Sequence, residues 1–222
     1  MAGVLLFNVA QGASVPAPVL LVVGDSLSAA YKIPMDKGWV HLLDQRLTRQ
    51  GYRYRIVNAS IPGDTTSGGL ARLPDDLKRY HPAIVIIALG GNDGLQGLPL
   101  EQMQSNLTRM VKLSRKSGAH VLLVGVRMPP NYGPVYTKRF EEVFKQVARK
   151  TGVPLVPEIL AGVATHPELM QSGGLHPKAA GEPRVLDNVW KGLQPLLKKS
   201  QSAIPDRKKQ GARLMLPGAS TE

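Results

Sequence analysis

A chain of 222 residues has room for one domain with a single core and too little for two comfortable ones. With 43% hydrophobic and 20% charged residues, it is expected to be a soluble folded protein rather than a collagen, a coiled coil or a wholly disordered chain. Cysteine is absent, which removes disulfides, thiolate zinc sites, iron–sulfur ligation and a cysteine nucleophile, while a net charge of +12 keeps a polyanion or an anionic membrane in play until the charges are located.

Much of that charge lies at the end. From Lys191 onward seven basic residues face only Asp206 and Glu222, a net of +5. The remainder is scattered, with no Arg/Lys stripe and no interleaved aromatics to stack on bases, so no nucleic-acid partner is expected. No run reaches the ~20 apolar residues that span a bilayer. The apolar start, Ala2 to Ala10, is followed by small residues spaced like a signal-peptidase site but lacks a basic leader; residues 1–17 read as the remaining part of an export signal or as a disordered start, the former predicting a periplasmic or secreted protein. Without export the protein would be cytoplasmic.

After Pro18, short β-branched runs alternate with longer amphipathic stretches, the pattern of an α/β domain over 18–199. Residues 19–23 read as a buried strand broken by Gly24-Asp25-Ser26. A helix over 39–49 places Trp39, Val40, Leu43 and Leu47 on one face. A strand at 55–59 follows, then the turn Pro62-Gly63-Asp64 and a helix through Leu70, Leu73 and Leu77 to Tyr80. Residues 84–89 form the most continuous apolar strand, which must be covered on both faces and so lies centrally; Gly90-Gly91-Asn92-Asp93 closes it as a turn. A helix at 100–117, a strand at 120–126, a helix at 135–151 and a short strand at 153–156 come next. The last helix falls within 177–199, its Leu186, Val189, Trp190, Leu193 and Leu197 facing inward; 200–222 has no periodicity and reads as a disordered basic tail.

In an open parallel sheet the turns at Ser26, Gly63 and Asn92 share the carboxyl edge, where such folds bind ligands. A serine at a strand-to-helix junction can act as a nucleophile if a base takes its proton and donors face the developing oxyanion. His176, just before the last helix, is the best-placed base. The backbone N–H groups of Ser26 and Gly63 and the side-chain amide of Asn92 can form the oxyanion hole. His41, His81, His120 and His166 lack such company and read as surface or capping residues. Asp25, Asp64 and Asp93 lack metal-site spacing and read as braces for their turns.

The segments Gly24-Asp25-Ser26-Leu27-Ser28-Ala29-Ala30-Tyr31, Asn58-Ala59-Ser60-Ile61-Pro62-Gly63-Asp64-Thr65, Gly90-Gly91-Asn92-Asp93-Gly94-Leu95 and Leu175-His176-Pro177 resemble, in order and spacing, the four blocks of the GDSL, or SGNH, hydrolases. The likeness is to the bacterial exported thioesterase, arylesterase and lysophospholipase branch, from about Val19 to Leu197; Arg127 to Gly133 is similar to a loop of that branch. It implies a flavodoxin-like three-layer α/β/α sandwich with strand order 2-1-3-4-5, no metal, no cofactor, and a monomer hydrolysing acyl esters, thioesters or lysophospholipids through an acyl-enzyme. The same likeness assigns the family's four named roles to Ser26, Gly63, Asn92 and His176.

The family places an Asp three residues before the histidine, where it orients the imidazole. Here that residue is Gly173, and Gln171, Ser172 and Gly174 supply no carboxylate. Three accounts stand open: a Ser-His dyad oriented by a carbonyl, the Ser172 hydroxyl or water; a carboxylate recruited from Glu182 or Asp187; or an impaired descendant that retains an acyl-binding cleft. A second departure is Ala30, where relatives commonly carry Gly.

Overall fold

The computed structural model describes residues 16–199. The basic tail and nearly all of the expected export segment lie outside the described residues.

Five parallel strands form one sheet in the order β2-β1-β3-β4-β5: β1 (Val19–Gly24), β2 (Arg55–Asn58), β3 (Pro82–Ala88), β4 (His120–Val124) and β5 (Leu155–Val156). The expected 2-1-3-4-5 sandwich is therefore present. Leu20 of β1 pairs with Ile56 on one side and Ile84 on the other, so the two longest apolar runs lie at the middle of the sheet. Alternation then sorts their side chains to opposite faces. Leu20, Val22, Ile84 and Ile86 face α1 (Trp39–Arg49) and, near the chain end, the helix Glu182–Leu193. Leu21, Val23, Val85 and Ile87 face α2 (Thr66–Tyr80) together with the helices Leu100–Lys116 and Pro134–Thr151. Burying each such aliphatic side chain contributes roughly 1.5–3 kcal/mol. The paired apolar faces thus hold the sheet rigid beneath its carboxyl edge.

Three differences from the sequence expectations have local causes. The segment after β3 is the short helix α3 (Gly91–Leu95) rather than a plain turn; Gly90, at φ 120°, makes the reversal that a side chain would oppose. Numbered from there, the remaining helices are α4 (Leu100–Lys116), α5 (Pro134–Thr151) and α6 (Glu182–Leu193). The fifth strand is only two residues long, since Pro154 has no N–H to give and Pro157 ends the run. The last helix begins at Glu182, five residues later than the segment opening at Pro177 allowed.

Candidate active site

Ser26 sits on a tight turn at the carboxyl end of β1. A Cβ on Gly24 would lie 2.7 Å from Ser28 Oγ and 2.9 Å from Ser60 Oγ, so glycine is what lets the strand end against these side chains. Beyond it the Asp25 carbonyl accepts from Ser28 N and Ala29 N, both at 3.1 Å, and Asp25 Oδ1 accepts from Leu27 N at 3.0 Å. Among the described residues the Ser26 N–H has no protein acceptor. Trp39 Nε1 donates to Leu27 O at 3.1 Å and pins the turn to the start of α1.

His176 comes from a closed loop over 171–176, whose flanks Met170 and Pro177 form an antiparallel bridge. Gln171 ties this loop down: its N–H donates to His176 O at 2.9 Å, and its Nε2 donates to Pro177 O at 2.9 Å and Tyr31 O at 3.0 Å. The Tyr31 ring lies 4.7 Å from the imidazole, centroid to centroid, at 41°. Held this way, His176 Nε2 is 2.8 Å from Ser26 Oγ. With the imidazole proton on Nδ1, the serine hydroxyl donates to Nε2. Burial first, and the Lys32 ammonium second, hold the imidazole pKa below its ordinary value. It is therefore neutral, and able to accept, at neutral pH.

Asn92 lies in the first turn of α3. Its Nδ2 donates to Asp64 O at 2.9 Å and stands 3.4 Å from Asp25 Oδ2. Exchanging amide O and N would set two acceptors face to face, so chemistry fixes the orientation. Gly63, at φ 80°, immediately precedes Asp64, and its N–H has no acceptor among the described residues. Gly63 does not line the cavity beside the Ser26–His176 pair; Ser26, Asn92 and His176 do.

Two of the three aspartates bond backbone N–H groups, as expected of braces, whereas Asp64 pairs with a side chain. Asp25 holds Leu27, Asp64 receives Arg72 Nε at 3.0 Å, and buried Asp93 accepts from the Thr66 N–H at 2.8 Å and from the Thr66 hydroxyl. Burial pushes the Asp25 carboxyl up to about 6; the Leu27 N–H opposes this, and the Asp64 and Asp93 charges add to it. Among the described residues no group of three or more His, Asp or Glu side chains is placed to share a metal ion. His41, His81 and His120 are exposed, and His166 caps a single 3-10 turn.

One of the three accounts left open for His176 is overturned. Glu182 and Asp187 were the carboxylates available for recruitment to His176, but Glu182 Oε2 accepts from Trp39 N at 2.8 Å, and Asp187 Oδ1 accepts from Arg46 at 2.6 Å. Both point into the seam between α1 and α6. Sequence reasoning also gave no role to Tyr31 or Gln171. A tyrosine five residues after the serine and a glutamine five before the histidine are weak signals, visible only when the two loops meet.

The cavity, about 310 Å³, takes apolar walls from Leu27, Leu95, Val126, Met128, Leu160 and Leu175, with the Ser26–His176 pair exposed to it. A hydroxyl, a neutral base and unused N–H donors beside an apolar groove suit acyl transfer. Residues 22–183 match the GDSL-like lipase/acylhydrolase family. The chain belongs to that family. It is 52% identical over 181 residues to an esterase, TesA, of Pseudomonas aeruginosa, covering 82% of this chain and 90% of that one. It is 39% identical over 181 residues to the thioesterase 1/protease 1/lysophospholipase L1 of Escherichia coli K12, covering 82% and 86%. A crystal structure of TesA superimposes with a TM-score of 0.80, over 81% of this chain and 99% of the other. Membership and these relatives make the protein a carboxylic ester hydrolase of the GDSL type.

Proposed function

We propose that this GDSL hydrolase cleaves small acyl esters and thioesters through an acyl-enzyme on Ser26, with His176 acting as base in a two-residue dyad. The 2.8 Å approach of Ser26 Oγ to His176 Nε2 carries the reading. As Oγ bonds to the acyl carbon, its proton passes to Nε2, and the carbonyl π electrons move onto oxygen. The N–H groups of Ser26 and Gly63 and the second amide hydrogen of Asn92 are the donors proposed for that oxyanion. Collapse expels the alcohol or thiol, which takes the proton back from His176. Water then repeats the sequence on the acyl-enzyme. Every group belongs to one chain, which suits a monomer, and export remains a proposal resting on the apolar run at residues 2–10.

A second reading has its own observation. Among the described residues His176 Nδ1 has no hydrogen-bond partner, so the protein could hold acyl groups while turning over slowly. Rapid mixing with p-nitrophenyl butyrate separates the two. The hydrolase reading expects one equivalent of p-nitrophenol per Ser26 in a burst, followed by steady release, both lost in Ser26→Ala. A burst with no later release supports the impaired form; unchanged release by Ser26→Ala removes the proposed nucleophile.

A further inference from the structure

Among the described residues three non-glycine positions take the left-handed backbone conformation: Ala30 at φ 54°, Lys32 at φ 57° and His81 at φ 43°. His81 caps the end of α2, where that conformation commonly closes a helix. Ala30 and Lys32 end no helix. They flank Tyr31 in the connection between β1 and α1, so two residues whose side chains oppose the conformation set the direction of the one between them. Backbone of this kind persists only where surrounding contacts hold it. Here those contacts lead to the candidate base. The methyl of Ala30 lies so close to Gly38 that a Cβ on that glycine would come within 2.8 Å of it. Tyr31 O accepts from Gln171 Nε2 at 3.0 Å, across 140 positions of chain, and the Tyr31 ring lies 4.7 Å from the His176 ring. The phenol hydroxyl has no hydrogen-bond partner among the described residues, so the contact with the imidazole is made by the ring.

We infer that Tyr31 is a positioning residue of the Ser26–His176 pair: its ring is the wall that keeps the imidazole turned toward the serine, and Gln171 locks that wall to the histidine loop. The inference rests on the dyad reading above. The torsion that turns an imidazole on its Cβ is broad, and one hydrogen bond to Ser26 Oγ resists the swing only weakly. In a full triad a carboxylate removes that freedom. Here Glu182 and Asp187 are bonded elsewhere, whereas Tyr31 packs on the ring directly. Gln171 fixes the spacing of the two loops, since its Nε2 bridges Tyr31 O and Pro177 O while its own N–H donates to His176 O at 2.9 Å. One residue thus grips both the chain that carries the wall and the chain that carries the base. A ring displaced by about an ångström no longer presents Nε2 to the hydroxyl proton, and misplacement of that size can cost about a hundredfold in rate.

The test is steady-state hydrolysis of p-nitrophenyl butyrate, with competent sites counted by the p-nitrophenolate that Ser26 displaces from diethyl p-nitrophenyl phosphate at the endpoint. Tyr31→Leu, which keeps an apolar side chain but no ring, should lower kcat per counted site by about 10- to 100-fold and leave KM within about twofold. Tyr31→Phe should recover most of that loss. Gln171→Met keeps the length and removes both side-chain donors, and should lower kcat per site by about tenfold. The double variant should lose less than the product of the two single losses, because Gln171 acts partly through Tyr31. A merely structural role for Tyr31 would reduce the number of competent sites and the urea midpoint without changing kcat per site. That result, a Tyr31→Leu kcat within about threefold of the parent, or a Tyr31→Phe as slow as Tyr31→Leu would overturn the inference. His176→Ala separates the two failures: if it abolishes turnover while Tyr31→Leu does not, the dyad stands without this wall, and if it retains activity the dyad itself is removed.

Discussion

The carboxylate of Glu182 accepts a hydrogen bond from the backbone N–H of Trp39 at 2.8 Å, joining residues 143 positions apart. Trp39 opens α1 and Glu182 opens α6, so a side chain in the first turn of one helix satisfies an unpaired N–H in the first turn of the other. The same tryptophan donates its indole N–H to Leu27 O, next to the nucleophile turn. The two helix starts and the Ser26 loop are thereby linked through one indole and one buried carboxyl.

That carboxyl is held up to about 7, burial being the main cause, with the Trp39 N–H opposing it. Below the pKa of the unfolded chain both states bind the proton and Glu182 has no pH effect. Between that value and about 7 the native state keeps a proton that the unfolded state has lost, so stability falls as pH rises, by up to ~3 kcal/mol. Glu182→Gln retains an oxygen for Trp39 N and cannot ionise. Urea unfolding at pH 5 and pH 8 should show it close to the parent at the lower pH and more stable at the higher. Glu182→Ala should be less stable at both, by roughly 2 kcal/mol, because it leaves a cavity and an orphaned N–H. A parent whose stability does not fall across this interval would remove the buried-acid account.

Lys32 offers a separate handle on the base. Its charge adds to burial in keeping the His176 pKa below the ordinary imidazole value, so Lys32→Met should move the acid limb of kcat/KM upward, toward that value. Measuring the profile for both proteins at one ionic strength checks this. A limb that stays in place, or moves down, would show that the ammonium does not act on the ring.

Much of the fold was legible in the sequence because parallel strands buried on both faces leave continuous apolar runs; 84–89 could be placed at the sheet centre on that ground alone. The amphipathic stripe of Trp39, Val40, Leu43 and Leu47 fixed α1 to its observed ends. That Ser26, Asn92 and His176 would come together was legible as well, since the topology sends the ends of β1 and β3 to one edge. The partners of Glu182 and Asp187 were not. Both lie within reach of His176 by sequence count, and only the packing of α6 against α1 turns them away, a tertiary effect with no local signature. The Tyr31–His176 contact was hidden for the same reason, as it joins loops 145 positions apart. Ala30 was seen as a departure, but its cost was not: it lies at φ 54°, a region where a side chain costs ~1–2 kcal/mol.

Asn92 is asked to do two things, and a substitution can separate them. One amide hydrogen is engaged by Asp64 O, while the other has only a 3.4 Å approach to Asp25. If that second hydrogen serves the oxyanion, Asn92→Ala should lower kcat by about 10²–10³ and leave KM for a short ester nearly unchanged, since the donor acts mainly in the transition state. Thermal unfolding of the variant should show only a small loss, the Asp64 carbonyl remaining within reach of water. A kcat within a factor of about three of the parent would take Asn92 out of the oxyanion hole.

Gly173→Asp measures what the dyad lacks. The position is exposed, its backbone lies outside the left-handed region, and a Cβ there meets nothing, so the substitution carries no steric cost. Disabling the acid of a serine–histidine–aspartate triad costs about four orders of magnitude in turnover, and a carboxylate added to a loop not shaped around it should recover part of that, roughly ten- to a thousandfold in kcat. Two readouts separate orientation of the base from a general change in the cleft. The His176 pKa should rise, carrying the acid limb of kcat/KM upward, and KM for p-nitrophenyl butyrate should stay near the parent value. No gain in kcat together with an unmoved acid limb would mean that the Gln171 bonds and the Tyr31 ring already hold the imidazole as well as a carboxylate could, and that Gly173 does not limit the rate.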